Sequence, residues 1–212
     1  MKFKSSFLIL VFSLSFLASH EVLAKNDLPD AQVPIPTFTS KAQPIQEVPQ
    51  GNIIHLASGK QIKLKGLLVP ELEMLDQKEY WASHLGLSEK QYNRAAKESR
   101  QFLRQLVKKN KIFLVEDPSE KMVNATDAFG RHYFYAFGLP RRYEYVQFSI
   151  AMIPRYYENN GKGKYSLNIG ATMIQNGHAV VDRKLPFIYR HVFEKLEEEA
   201  KTNKRGLWKY IR

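Results

Sequence analysis

The chain has 212 residues, no cysteine, and 32 Lys+Arg against 21 Asp+Glu, a formal charge of +11. Without cysteine there is no disulfide framework, no Cys-bearing zinc or iron–sulfur site, no thiol nucleophile and no cysteine-linked lipid. At 44% hydrophobic and 25% charged the composition suits one globular domain with its own core, and the basic surplus points to an anionic partner.

Lys2 and Lys4 precede an apolar run from Phe7 to Ala18, followed by Val22-Leu23-Ala24. This is the charged, apolar, small-residue order of a signal peptide, and the run is shorter than the roughly 20 residues of a spanning helix. Residues 1–24 are therefore expected to be a cleaved signal peptide. The mature protein is expected to be secreted or periplasmic, with no membrane span after cleavage. Pro29, Pro34, Pro36, Pro44 and Pro49 stand among polar residues without a sustained period, so 25–49 reads as a Pro-rich linker, dispensable for folding. From Asn52 the pattern changes. Ile54 and Leu56 alternate, Ala57-Ser58-Gly59-Lys60 supplies a turn, and Ile62, Leu64 and Leu67 follow, which predicts a hairpin and then a strand ending at Pro70.

Ser88-Glu89-Lys90-Gln91 matches a capping box, so a helix is expected to start there. Tyr92, Ala95, Ala96, Ser99, Phe102, Leu103 and Leu106 share its apolar face, with Lys90, Arg94, Lys97, Arg104 and Lys108 opposite. A solvated polar back is the ordinary reading of that basic face, and phosphate steering is the other. Lys111 to Val115 and His132 to Phe137 predict paired core strands. Between Gly138 and Ser166 five tyrosines alternate with Arg141, Arg142, Arg155, Lys162 and Lys164, a pattern suited to single-stranded nucleic acid and equally to a plain aromatic hairpin. Helices are expected at Leu167 to Gln175 and at Ile188 to Asn203, the latter turning Val192, Leu196 and Ala200 inward.

The order of these pieces resembles the staphylococcal-nuclease-like (thermonuclease) family. The run from Gln50-Gly51-Asn52 to Val69-Pro70-Glu71 aligns without gaps on its DGDT(I/V)xLxxGxxVRLxGIDAPE pattern. Asp127-Ala128-Phe129-Gly130-Arg131 is similar to its D-x-(Y/F)-G-R turn. Leu167-Asn168 through Gly177-His178-Ala179 and Glu199-Ala200-Lys201 through Arg205-Gly206-Leu207-Trp208 resemble its last two segments. The resemblance implies an α+β, mainly β-barrel fold for 50–210: a five-stranded OB-fold barrel with about three packed helices. Residues 72–90 and 138–166 are then insertions that border the family's substrate groove.

The resemblance also implies a chemistry. Phosphodiester hydrolysis needs a base for water and cations for the developing charge. The family uses a glutamate, two arginines, and one calcium ion held by two aspartates and a backbone carbonyl. Glu71 matches the glutamate, Arg131 the arginine of the turn, and Lys63 stands at the other arginine, keeping the charge but losing the planar fork. Asn52 and Leu68 occupy the two aspartate positions, so two anionic oxygens that calcium needs are gone. Val69 still offers a carbonyl. No cofactor is expected unless calcium is retained by other means, and Glu73, Asp76 and Asp127 are the acidic residues nearby. Structural roles compete for the matched residues: Glu71 as a turn cap after Pro70, and Arg131 pairing with Asp127. The six histidines show no HxH or HExxH spacing and are read as incidental.

The expected function is that of an exported, monomeric protein that binds DNA or RNA in a sequence-tolerant way. Arg94, Lys97 and Arg104 on the helix, and Arg141, Arg142 and Arg155 in the insertion, are the expected phosphate contacts. Calcium-stimulated hydrolysis is not expected. Two alternatives stay open: an active phosphodiesterase with a relocated metal, and a structural or protein-interaction module of the cell envelope with a protein partner.

Overall fold

The computed structural model describes residues 41–72, 75–107, 111–118, 126–138, 157–159 and 165–211. The expected signal peptide, the first part of the expected linker and most of 138–166, including Arg141, Arg142 and Arg155, lie outside them. Alternation of apolar residues builds the hairpin as expected: β2 (Ile53–Leu56) pairs antiparallel with β3 (Gln61–Leu64), Ile54 opposite Ile62. Gly59 takes φ +84° in the connecting turn, a conformation that favours glycine.

β1 (Gln43–Gln50) precedes the hairpin and lies between β2 and β5 (Lys111–Val115). This corrects the linker boundary, because residues 43–49 form part of a barrel strand, and their removal is expected to lower stability. Two prolines and few apolar residues hid it. The strand nonetheless buries Val48, and the Pro44 carbonyl, which a proline still offers, accepts from the Ala57 N–H at 3.0 Å.

β5 pairs antiparallel with β6 (His132–Gly138), as the aromatic runs predict, with Phe113 opposite Phe137. β6 in turn runs parallel to β3, placing Ile62, Lys63 and Leu64 beside His132, Tyr133 and Phe134. That pairing closes the order β3-β2-β1-β5-β6 into a five-stranded mixed barrel. β8 (Tyr165–Asn168) and β7 (Tyr157–Asn159) continue outward from β6, while β4 (Leu67–Leu68) pairs separately with β9 (Val180–Val181).

Four α-helices stand among the described residues: α1 (Leu75–Leu85), α2 (Glu89–Val107), α3 (Ile169–Gln175) and α4 (Arg190–Thr202). The additional one is α1, which occupies the 72–90 insertion. The capping box before α2 is formed: the Ser88 N–H donates to Gln91 Oε1 at 2.8 Å, and the Gln91 N–H to Ser88 Oγ at 3.4 Å. All seven residues of its expected apolar face are buried, as is Val107. Leu167 and Asn168 end β8 and do not begin a helix, and the Asn168 side chain caps α3 by accepting from Ala171 N at 3.0 Å.

Two apolar clusters result. One fills the barrel and the faces of α2, α3 and α4 that cover it. The other joins Trp81 and Leu87 of the insertion to Tyr92, Ala200, Leu207 and Trp208. The chain end, a short 3-10 helix at Gly206–Tyr210, docks where Gly177 and Gly206 meet. A Cβ on Gly177 would lie 2.1 Å from the Arg205 carbonyl oxygen, and one on Gly206 would lie 2.2 Å from that of Gly177, so only glycines fit.

Candidate functional site

The parallel seam between β3 and β6 sets Lys63 beside Tyr133, and the turn leading into β6 adds Asp127 and Arg131. Asp127 organises that turn. Its Oδ1 accepts from the backbone N–H of Phe129 and of Arg131, both at 3.0 Å, and its Oδ2 from Arg131 Nε at 2.7 Å. Burial raises the Asp127 carboxyl, but the Arg131 side-chain bond, the two backbone bonds and the guanidinium charge outweigh it and hold the group below its ordinary value. The same turn presents Phe129, 66% exposed, with the Arg131 guanidinium 4.8 Å from its ring centroid. The expected structural pairing of Arg131 with Asp127 is thus present.

Lys63 Nζ lies 3.7 Å from Glu71 Oε1 and 3.7 Å from Asp127 Oδ2. Glu71 follows Pro70 at the end of the strand run, and α2 fixes its backbone: the Tyr92 hydroxyl accepts from the Glu71 N–H at 2.9 Å and donates to the Glu71 carbonyl at 2.6 Å. The carboxylate is 1% exposed, and its Oε2 has no hydrogen-bond partner among the described residues. Asn52, 1% exposed, likewise has neither amide atom partnered. On the seam's other flank, burial and then the charges of Asp127 and Asp182 raise the Tyr133 phenol. The Lys65 ammonium sits 5.3 Å from the Tyr133 ring centroid, lowered by burial against the raising charges of Asp117 and Asp182.

Glu71 also lines a cleft of about 230 Å³ between the end of β1 and α2, with Pro49, Gln50, Pro70, Ala96 and Arg100 among its other walls. Gln50 Oε1 is buried without a partner among the described residues, and Arg100 Nε donates to the Val48 carbonyl at 3.2 Å.

Of the residues singled out from the sequence, Glu71, Lys63 and Arg131 are brought together, with Asp127 completing the group. Lys97 and Arg104 are exposed on α2, but Arg94 is paired. Its Nε donates to Glu98 Oε1 at 3.0 Å, and Glu98 also receives Lys209 Nζ at 3.0 Å and the Tyr210 hydroxyl at 3.1 Å. That cluster ties the last residues to α2, and Arg94, though paired, stays 66% exposed. The Glu73 and Asp76 side chains lie outside the described residues. Sequence reasoning missed Gln50, Arg100 and the hydroxyl of Tyr92. By its spacing Tyr92 belongs to the apolar stripe, and a long helical side chain such as Arg100 gives no signal of the wall it reaches.

The donor set does not fit the family's calcium ion. Leu68 belongs to β4 and packs its aliphatic chain against the second apolar cluster. Asn52 is a neutral amide, and the Lys63 ammonium already stands between the two remaining carboxylates, where it repels a second cation. No group of three or more His, Asp or Glu suited to a metal is found among the described residues.

A sequence model of the staphylococcal nuclease homologue family matches residues 143–210. No curated protein matches the chain. The matched residues contain β7, β8, α3, β9 and α4, whereas Lys63, Glu71 and Arg131 precede them. Residues 143–210 are thus similar to that family, and the closed five-stranded mixed barrel with its α-helices is an α+β fold consistent with the family's OB type.

Proposed function

We propose that this is an exported staphylococcal-nuclease-like protein that binds single-stranded nucleic acid without calcium-dependent hydrolysis. The observation that carries the reading is the pairing of Phe129 with Arg131. A 66% exposed aromatic ring stands on a turn braced by Asp127, and the guanidinium beneath it, 12% exposed, is paired with Asp127, so the turn offers a base a stacking face backed by a cation. Lys63 supports it from the seam, and the exposed Lys97 and Arg104 of α2 add long-range attraction for a polyanion. Hydrolysis is left out because Glu71, the carboxylate at the position of the family's water-activating base, is buried beside an ammonium and the calcium ligands are replaced.

Fluorescence anisotropy with a labelled single-stranded thymidine oligonucleotide tests it. Affinity is expected to fall steeply with salt and by about tenfold in Phe129→Ala, the scale of one stacked base. Calcium and chelator are expected to leave affinity, melting temperature and oligonucleotide length unchanged, since a ligand bound only by the native state would stabilise it. Cleavage in calcium that stops in chelator and in Glu71→Gln overturns the reading in favour of a phosphodiesterase. Absence of binding at low salt overturns it in favour of a protein-interaction module.

A further inference from the structure

The ammonium of Lys63 stands where two carboxylates need a cation. Its Nζ lies 3.7 Å from Glu71 Oε1 and 3.7 Å from Asp127 Oδ2, and the Lys63, Glu71 and Asp127 side chains are 14%, 1% and 7% exposed. The three come from separate parts of the chain: β3, the segment after Pro70 whose backbone the Tyr92 hydroxyl of α2 clamps, and the turn entering β6. Arg131 is bonded to Asp127, so the four groups balance, two cations against two carboxylates. Without Lys63 one negative charge is left over. It falls on Glu71, for which Lys63 is the one cation within ion-pair distance among the described residues.

The two partners are not equivalent. Taking the charge from Glu71 leaves an ammonium that is 14% exposed and still has Asp127. Taking it from Lys63 leaves a carboxylate that is 1% exposed, with Oε2 already lacking a hydrogen-bond partner among the described residues. A buried anion of that kind persists only with a counter-ion. Two carboxylate oxygens equally distant from one position are also the beginning of a site for a hard cation, which takes oxygen ligands.

We propose that Lys63 is a tethered counter-ion that fills a cation position between Glu71 and Asp127, and that this position takes up a hard metal cation once the ammonium is removed. It is not the family's calcium position carried over, since Asn52 and Leu68 bring no carboxylate to it. Lys63 is thereby a positioning residue: it joins Glu71, held by α2, to the turn on which Asp127 presents Phe129. The mismatch with the family's metal ligands and the metal-free burial of two carboxylates are then one fact, because the chain supplies its own cation.

Thermal unfolding of the full chain in chelator and in calcium tests it, with no nucleic acid present, so the outcome is independent of oligonucleotide binding. Lys63→Met keeps the length of the side chain without its charge and is expected to lower the melting temperature by about 10 °C in chelator, the scale of one broken buried pair in a chain of this size. Calcium at roughly ten times its dissociation constant is expected to return about 3–6 °C to that variant and nothing to the unsubstituted protein. Terbium emission sensitised by Tyr133, which pairs with Lys63 across the seam, is expected in Lys63→Met and not in the parent. Lys63→Arg, which keeps the charge, is expected to need no metal. Lys63→Met combined with Glu71→Gln removes both charges and is expected to come within about 3 °C of the parent and to lose the calcium response. Where Lys63→Met alone does not fold, the double variant decides: a folded double variant supports the counter-ion, and an unfolded one overturns it. The proposal is also overturned by a Lys63→Met variant as stable as the parent, by an equal loss with and without Glu71→Gln, by a loss that neither calcium nor terbium relieves, or by a calcium response in the unsubstituted protein.

Discussion

Glu71 and Glu197 are both glutamates whose side chains are 1% exposed, and the molecule treats them in opposite ways. Glu197, on α4, accepts from the Val181 N–H at 2.8 Å and from Arg183 at 2.6 Å, and has Lys201 Nζ at 3.1 Å. Burial raises its carboxyl, yet the Arg183 bond, the Val181 amide and Lys201 more than compensate and hold it below its ordinary value. Glu71 has one lysine at 3.7 Å and an oxygen with nothing to accept from among the described residues. Satisfied burial marks a carboxylate that holds the fold, here pinning β9 to α4. Unsatisfied burial costs stability and persists where a ligand or chemistry uses it.

Breaking Glu197 is expected to have the largest effect. Glu197→Ala removes the acceptor for an amide and two cations and is expected to cost about 3 kcal/mol in denaturant unfolding. A loss below about 1 kcal/mol would place Glu197 in the same class as Glu71.

A pH titration sharpens the contrast, because it separates the carboxylates from His178. That ring stacks on Phe102 at 4.2 Å, and burial, with a smaller opposing charge from Glu98, lowers its pKa to about 4. The unfolded chain takes up the proton near pH 6.5 and the folded one only near 4, so stability is expected to fall as pH drops through that window, by at most about 3 kcal/mol. His178→Asn is expected to flatten it. Glu197 and Asp127, whose carboxyls are held low, keep their contribution above their unfolded values and lose it only at lower pH. A decline between pH 6.5 and 4.5 that survives His178→Asn would break this division.

Tyr92→Phe keeps the ring against Trp81, 6.5 Å away, and removes only the hydroxyl that clamps the Glu71 backbone. A cost of about 1–2 kcal/mol is expected in thermal unfolding. An unchanged melting temperature would mean that the Glu71 backbone is held by its neighbours alone.

The smallest effect is expected at Glu71 itself. Glu71→Gln retains the shape while removing a poorly compensated buried charge, so stability is expected to stay within about 1 kcal/mol of the parent. A loss comparable to that of Glu197→Ala would show that Lys63 holds Glu71 as firmly as Arg183 and Lys201 hold Glu197.

Local patterns carried much of the fold into the sequence. The β2–β3 alternation, the Ser88–Gln91 box, the stripe of α2 and the inward face of α4 each repeat within a few residues, and local geometry alone sets such periods. The Asp127–Arg131 turn was legible for the same reason, since a short Asp side chain reaches the amides just after it. β1 was not legible, because its pairing partners are distant in the chain and its two prolines argue against a strand unless those partners are known. Nor did any spacing show that Glu98, four residues after Arg94 on the same helix, also receives Lys209, 111 residues further on. The replacement of the calcium carboxylates by Asn52 and Leu68 is legible from residue identity, as are Lys63, Glu71 and Arg131 from their place in the family's pattern. Their juxtaposition at the parallel seam, the orphaned oxygens of Gln50 and Glu71, and the cleft that Arg100 lines depend on barrel closure. Sequence determined which charges and which periodic faces the chain possesses; only tertiary packing decided which of those charges found partners, because burial and hydrogen-bond satisfaction are properties of residues brought together from far apart.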